Sequence, residues 1–287
     1  MPAAVACILL VLFLADPARA DETRTLVVGG TKRVFIVHRP SPPRSGALPL
    51  MISLHGGGGT AAGDVGFTQF DGLADREGFV VAYPDSIGRH WNNGQRPDEV
   101  DDVAFVAAVV DALVAGGGID RHRVYASGIS SGAIMSFHLA CRIPNAIAAI
   151  AAVAGSLATS DAPGCASGPP VAVAMLNGTA DPLVPYGGGT VIGPFGGSVL
   201  GVEATLAFFA KRNGCGGSWT TSRIGNTVDH VVAACPPQTG AELYRLLGGG
   251  HTWPGGIQYL PVRFIGTVNR DINGTQTIWS FVSRFTR

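Results

Sequence analysis

With 287 residues, 46% of them hydrophobic and 14% charged, the chain can bury one large core and is too short for two full enzyme domains. Its 20 Lys and Arg balance 20 Asp and Glu, which excludes a strong field for holding nucleic acid or a charged membrane and points to an uncharged substrate. The 41 glycines cluster where turns are expected and follow no collagen-like period, so they read as loop chemistry.

Residues 1–20 read as a secretory signal peptide: an apolar run from Ala3 to Ala15, then Pro17, then Ala18-Arg19-Ala20 as a small-x-small cleavage pattern before Asp21. The run is shorter than the roughly 20 apolar residues of a membrane anchor, although no Lys or Arg precedes it. Cys7 is expected to leave with this segment, and residues 21–287 are expected to form one catalytic domain. Thr25 to Val28 and Val34 to Val37 then suggest paired strands around Gly29-Gly30, and Pro40 to Gly46 a surface loop. Leu48 to Leu54 predicts a buried strand that ends at His55-Gly56-Gly57-Gly58-Gly59. Helical spacing from Phe67 to Ala74 predicts a helix stopping at Gly78, followed by a strand over Phe79 to Tyr83.

Glu99 to Ala115 predicts a helix opened by Asp101 and Asp102, with Val103, Val106, Ala107, Val110 and Val114 on its apolar face. Further strands are expected over Arg123 to Ala126, Ala146 to Val153, Val171 to Leu176 and Ala241 to Leu247, and helices over Ala133 to Cys141, Val199 to Asn213 and Gln276 to Phe285. Strands alternating with helices predict an α/β fold with a mostly parallel central sheet covered on both faces. Beyond Cys7, four cysteines remain, Cys141, Cys165, Cys215 and Cys235. An even number in an exported chain predicts disulfides, for which three connectivities exist, and neighbour pairing would close loops of about 20 residues. No C-x-x-C or His-Cys cluster supports a metal site, and no cofactor is expected.

Gly128-Ile129-Ser130-Ser131-Gly132 is a G-x-S-x-G motif between a predicted strand and a predicted helix, the setting of a nucleophile elbow that lifts the serine hydroxyl above a sheet. An unassisted serine is a weak nucleophile, so a base and an orienting carboxylate must come from elsewhere. In the order serine, acid, histidine, the acid is expected at Asp181, in the turn after the Val171 to Leu176 strand, rather than at Asp161. The base is expected at His251, in a Gly-rich loop after the last long strand, rather than at His230. The Ser131 N–H at a helix start and an N–H from the glycine run, with Gly57 preferred, are the candidate oxyanion donors. That run lacks the G-K-[ST] ending of a phosphate loop, and His55 is expected to be an internal hydrogen-bonding residue. Trp91 and Trp253 are aromatic candidates for touching substrate, with burial as packing residues the competing outcome.

These blocks, together with Leu73-Ala74-Asp75-Arg76-Glu77-Gly78-Phe79, Asp101-Asp102-Val103-Ala104-Phe105 and His251-Thr252-Trp253-Pro254-Gly255, resemble the secreted polyhydroxybutyrate depolymerase and feruloyl esterase group of α/β-hydrolases across nearly all of residues 21–287. The resemblance implies a single-domain α/β-hydrolase fold, with Ser130, Asp181 and His251 as a triad and backbone N–H groups near Gly57 and Ser131 as the oxyanion hole. It departs from many members at Asn177, where they have His, and at Ser131, where they have Gly or Asn. No linker and polymer-binding domain is visible. That leaves a soluble or short-chain ester, or a polymer gripped only by the catalytic face; the expected partner is a neutral ester, with a polyhydroxyalkanoate-type polyester or its oligomers ahead of feruloyl or acetylxylan esters. A non-catalytic polymer- or carbohydrate-binding protein would carry a broken triad, which is not seen. The sequence leaves the oligomeric state open.

Overall fold

The computed structural model of the chain describes residues 21–93, 100–193 and 196–287. The expected signal peptide, Cys7 and Glu99 lie outside them. In chain order the elements are β1 (Glu22–Val28), β2 (Thr31–His38), β3 (Leu48–Leu54), α1 (Ala61–Thr68), α2 (Phe70–Glu77), β4 (Val80–Pro84), α3 (Asp102–Ala115), β5 (Ile119–Ile129), α4 (Ser131–Arg142) and β6 (Ala149–Val153). There follow α5 (Ala162–Cys165), β7 (Ala172–Gly178), β8 (Gly189–Thr190), β9 (Ser198–Val199), α6 (Val202–Arg212), β10 (Trp219–Ile224), β11 (Val228–Ala233), β12 (Ala241–Leu246), α7 (Val262–Ile265) and α8 (Gly274–Val282).

One ten-stranded sheet runs β1-β2-β4-β3-β5-β6-β7-β12-β11-β10. The centre, from β4 to β12, is parallel, and antiparallel pairs close both edges. Successive side chains of a strand face opposite ways, and both faces are buried here. Leu50, Ile52, Val124, Ala126, Ile150 and Val173 pack with residues of α3, α4 and α6. Met51, Tyr125, Ala149, Ala151 and Ala174 pack with α1, α2 and α8 on the other side. Parallel order puts the carboxyl ends of β3, β5, β7 and β12 along one edge, where all four chemistry-bearing loops emerge. Disulfides join Cys141 to Cys165 and Cys215 to Cys235, the neighbour pairing.

Three expectations need correction. The helix expected over Phe67 to Ala74 is two helices, broken at Gln69, which takes a left-handed conformation with φ 56°. Gly78 ends the second as expected, with φ 81°. The buried stripe of α3 is Asp102, Phe105, Val106, Val109, Val110 and Leu113, so the face is rotated away from Val103, Ala107 and Val114. Phe105 lies against the buried Arg33 guanidinium, which pairs with Asp102. The edge strands β10 and β11 were not expected as a pair. They place His230 on a strand, bound to Glu242 (2.8 Å) and stacked on Tyr244.

Candidate active site

Ser130 stands between the last residue of β5 and the first of α4, with φ 58° and ψ −120°. Such a conformation costs of order 1–3 kcal/mol for a residue with a side chain and persists only where its surroundings impose it. They do so here. The Ser130 N–H donates to the Val153 carbonyl (3.0 Å), and its own carbonyl accepts the Ile134 N–H (3.0 Å) in the first turn of α4. A Cβ at Gly128 would lie 2.5 Å from the Leu54 carbonyl oxygen, and one at Gly132 would overlap that same oxygen. The glycines of the motif are therefore demanded by the close crossing of α4 over the end of β3. At the first position of α4, the Ser131 N–H has no acceptor within the helix.

The loop after β3 lies against the serine: a Cβ at Gly56 would stand 3.7 Å from Ser130 Cβ. Its turn is built from within and from behind. The Gly59 N–H donates to the Gly56 carbonyl (3.0 Å) and the Gly58 N–H to the Arg89 carbonyl (2.7 Å), with Gly58 at φ 79°. Those bonds engage the N–H groups of Gly58 and Gly59, and Gly57, exposed at the turn, stays a candidate donor. Buried His55 anchors the base. Its Nδ1–H donates to the Gly56 carbonyl (2.8 Å), and Nε2 accepts the Ser86 N–H (3.2 Å). Burial holds its pKa below the ordinary histidine value, which keeps the ring neutral in this structural role.

Trp91 is buried, tilts against the His55 ring with centroids 4.8 Å apart, and donates its indole N–H to the His55 carbonyl (2.8 Å). Trp253 is also buried. Its N–H donates to Thr275 Oγ1 (3.0 Å) and its ring meets Phe67 and Phe70 edge-on. Neither ring offers a face to substrate, because each spends both its apolar area and its one polar atom inside the protein. Trp91 instead supports the loop after β3, and Trp253 clamps the loop that carries His251.

Asp181 follows β7 and His251 follows β12, which are paired neighbours in parallel register. Their loops touch with no room for side chains. A Cβ at Gly178 would overlap the Gly249 carbonyl, while the Ala180 N–H donates to that carbonyl (3.0 Å). The result joins Asp181 to His251. Asp181 Oδ2 accepts from His251 Nδ1 (2.8 Å), and Oδ1 accepts the N–H groups of Leu183 (2.8 Å) and Val184 (2.9 Å). The two side chains are 2% and 3% exposed. Since a carboxylate only accepts, the His251 proton sits on Nδ1, and Nε2 is the basic nitrogen.

Further groups that sequence reasoning did not find hold these loops. The Tyr259 hydroxyl donates to the His251 carbonyl (3.0 Å), and the His251 N–H donates to the Ile265 carbonyl (2.6 Å). Asn177 Nδ2–H donates to the Gly155 carbonyl (3.0 Å), tying the end of β7 to the loop after β6. The alternative acid, Asp161, is engaged elsewhere, bound to His138 Nδ1 (2.8 Å) beneath α4. Asp21, His38 and Asp71 bring potential metal-ligand atoms within 4.8 Å of one another. His38 is already bonded there to Asp21 (2.9 Å) and Asp75 (3.0 Å).

Residues 35–179 match the family model described as Esterase PHB depolymerase. Among curated proteins, NocK of Nocardia uniformis subsp. tsuyamanensis, an esterase by assignment, is 30% identical over 290 residues, covering 92% of this chain and 83% of that protein. Feruloyl esterase B of Piromyces equi is 30% identical over 213 residues, 71% of this chain. The match takes up only 40% of that relative's length. Among solved structures, the acetyl xylan esterase of Aspergillus awamori superposes with a TM-score of 0.63 at 17% identity, over 80% of this chain and 94% of that one. The shared architecture is the α/β-hydrolase fold.

Proposed function

We propose, for a chain that belongs to the esterase PHB depolymerase family and is a carboxylic ester hydrolase, that Ser130, His251 and Asp181 form its catalytic triad. The hydrogen bond between Asp181 and His251, made by loops leaving the same sheet edge as Ser130, carries the assignment. His251 Nε2 takes the Ser130 hydroxyl proton as Oγ attacks the ester carbonyl, and Asp181 stabilises the resulting imidazolium. The negative charge on the former carbonyl oxygen is met by the N–H groups of Ser131 and Gly57, the first of which gains from the α4 dipole. Collapse returns the proton to the leaving alcohol and leaves an acyl-Ser130 ester. Water, deprotonated by the same histidine, then releases the acid.

The favoured substrate is an uncharged polyester of the hydroxyalkanoate type, in line with the family and with the balanced charge of the chain. Its similarity to a feruloyl esterase keeps plant cell-wall esters as the second reading. Export with cleavage before Asp21, leaving residues 21–287 as one catalytic domain, is supported by two disulfides of a kind that persists in oxidising compartments. A fluorophosphonate probe is expected to label folded protein on Ser130 and to leave Ser130→Ala unlabelled; labelling of both would overturn the triad. Parallel assays on polyhydroxybutyrate emulsion and methyl ferulate decide the substrate.

A further inference from the structure

Downstream of His251 the chain presents Ile257, Tyr259, Leu260, Val262 and Phe264, each between 37% and 55% exposed. Five large apolar side chains within eight residues expose on the order of 400 Å² together, the size of the largest apolar patch on a typical monomer, which is often functional. The segment is rigidly built. Gln258 Nε2–H donates to the carbonyls of Leu260 (2.8 Å) and Gly266 (3.0 Å), and its Oε1 accepts the Val268 N–H (3.2 Å). On α7, Val262 and Phe264 point outward while Ile265 is buried. The only charged residue in the segment, Arg263, lies over the Phe264 ring at 4.5 Å.

The ridge is also continuous with the candidate site. Tyr259 binds the His251 carbonyl, and Ile265 accepts the His251 N–H. Another exposed isoleucine, Ile87, lies two residues from Arg89, whose carbonyl holds the Gly58 N–H of the oxyanion loop. A largely apolar ridge whose one charge, Arg263, lies over the Phe264 ring, held in shape before binding and tied to His251, suits an extended uncharged aliphatic surface. A small soluble ester is too small to cover it.

We infer that residues 257–264 form an adsorption ridge by which the protein seats itself on a water-insoluble aliphatic polyester, with Leu260 and Phe264 as its principal anchors. The inference rests on the polyester reading above and adds the surface that grips the solid.

The test separates gripping from chemistry. Ser130→Ala protein is mixed with polyhydroxybutyrate powder and, separately, with cellulose powder, and depletion from solution is measured. Adsorption to the polyester alone is expected, and adding Leu260→Ser with Phe264→Ser should weaken it at least about tenfold. The same two substitutions in the Ser130 protein should leave kcat/KM on soluble p-nitrophenyl butyrate within about twofold of the parent. Undiminished adsorption of the double variant overturns the ridge. So does a concentration-dependent dimer in size-exclusion chromatography that the double substitution abolishes, since a second copy would then be the occupant. Loss of the esterase reading looks different: the parent hydrolyses no ester while Ser130→Ala still adsorbs.

Discussion

Replacing Asp181 with Asn tests the candidate triad most sharply, because the surroundings dictate how the amide must sit. The carboxylate serves three donors: Oδ1 takes the Leu183 and Val184 N–H groups and Oδ2 takes His251 Nδ1–H. Asparagine has one carbonyl oxygen and one NH2. Turning the NH2 toward the backbone would strand two N–H donors at about 1–3 kcal/mol each, so the oxygen stays with them. The NH2 then faces His251 Nδ1, which must become an acceptor, and the proton moves to Nε2. A histidine protonated there cannot accept the Ser130 proton. The expected fall in kcat is about 10⁴-fold, or about 5.5 kcal/mol of barrier, while urea denaturation should find the fold within about 1 kcal/mol of the parent. Stopped assays on p-nitrophenyl butyrate give the first number. A variant that keeps more than a tenth of the parent kcat would refute the tautomer argument and the role of Asp181.

Ser130→Gly should remove turnover yet raise the melting temperature by a few degrees, because glycine adopts φ 58° without the strain of roughly 1–3 kcal/mol; a lowered melting temperature would deny that the elbow is strained. Asp64 on α1 is buried, bonded to Ser53 Oγ (2.6 Å), and burial pushes its pKa up to about 7. The unfolded chain releases this proton at lower pH than the folded one, so the carboxyl's stability contribution is whole below about pH 4 and is lost as pH rises toward 7. Asp64→Asn should flatten that decline, as read by urea midpoints at pH 4.5, 6 and 7.5; an unchanged slope would count against it. Trp91→Phe removes the donor to the buried His55 carbonyl. It should cost about 1–2 kcal/mol of stability and about tenfold in kcat by loosening the loop proposed to hold the oxyanion, whereas unaltered kcat would detach Trp91 from the site.

The parts of the molecule that could be read from sequence are those whose cause is local. The strand over Leu48 to Leu54 is bounded by its own apolar run and by the glycines that follow it, and it recurs with the same limits. The elbow is legible because G-x-S-x-G between strand and helix has a steric reason within a few residues. Where the cause lies far along the chain, the reading failed. Gln69 takes a left-handed turn with no glycine to announce it. Strand β10 is largely exposed, and Trp-Thr-Thr-Ser-Arg-Ile carries no alternation of apolar and polar residues to betray it. A tryptophan beside a candidate base looks alike in sequence whether it faces substrate or core. What decided Trp253 was Thr275, 22 positions away.

The same distinction explains why Asp181 and His251 could be named from the sequence as candidate acid and base while the contacts that hold them could not. Asp181 and His251 each follow a recognisable strand, so chain order and fold logic name them. Their meeting at 2.8 Å depends on contacts across the sheet edge: Gly178 against Gly249, and Gly250 against Gly266. In the sequence these appear only as missing side chains, among 41 glycines of which most do something else. The exposed ridge after His251 belongs to this class as well. Its apolar residues look like core, and only the packing, which turns Ile265 inward and leaves Phe264 out, separates a buried turn from a surface that can grip a solid. A catalytic group is chosen by its chemistry and can be named from its neighbours, whereas the surface that presents the substrate is chosen by what remains uncovered once everything else has packed.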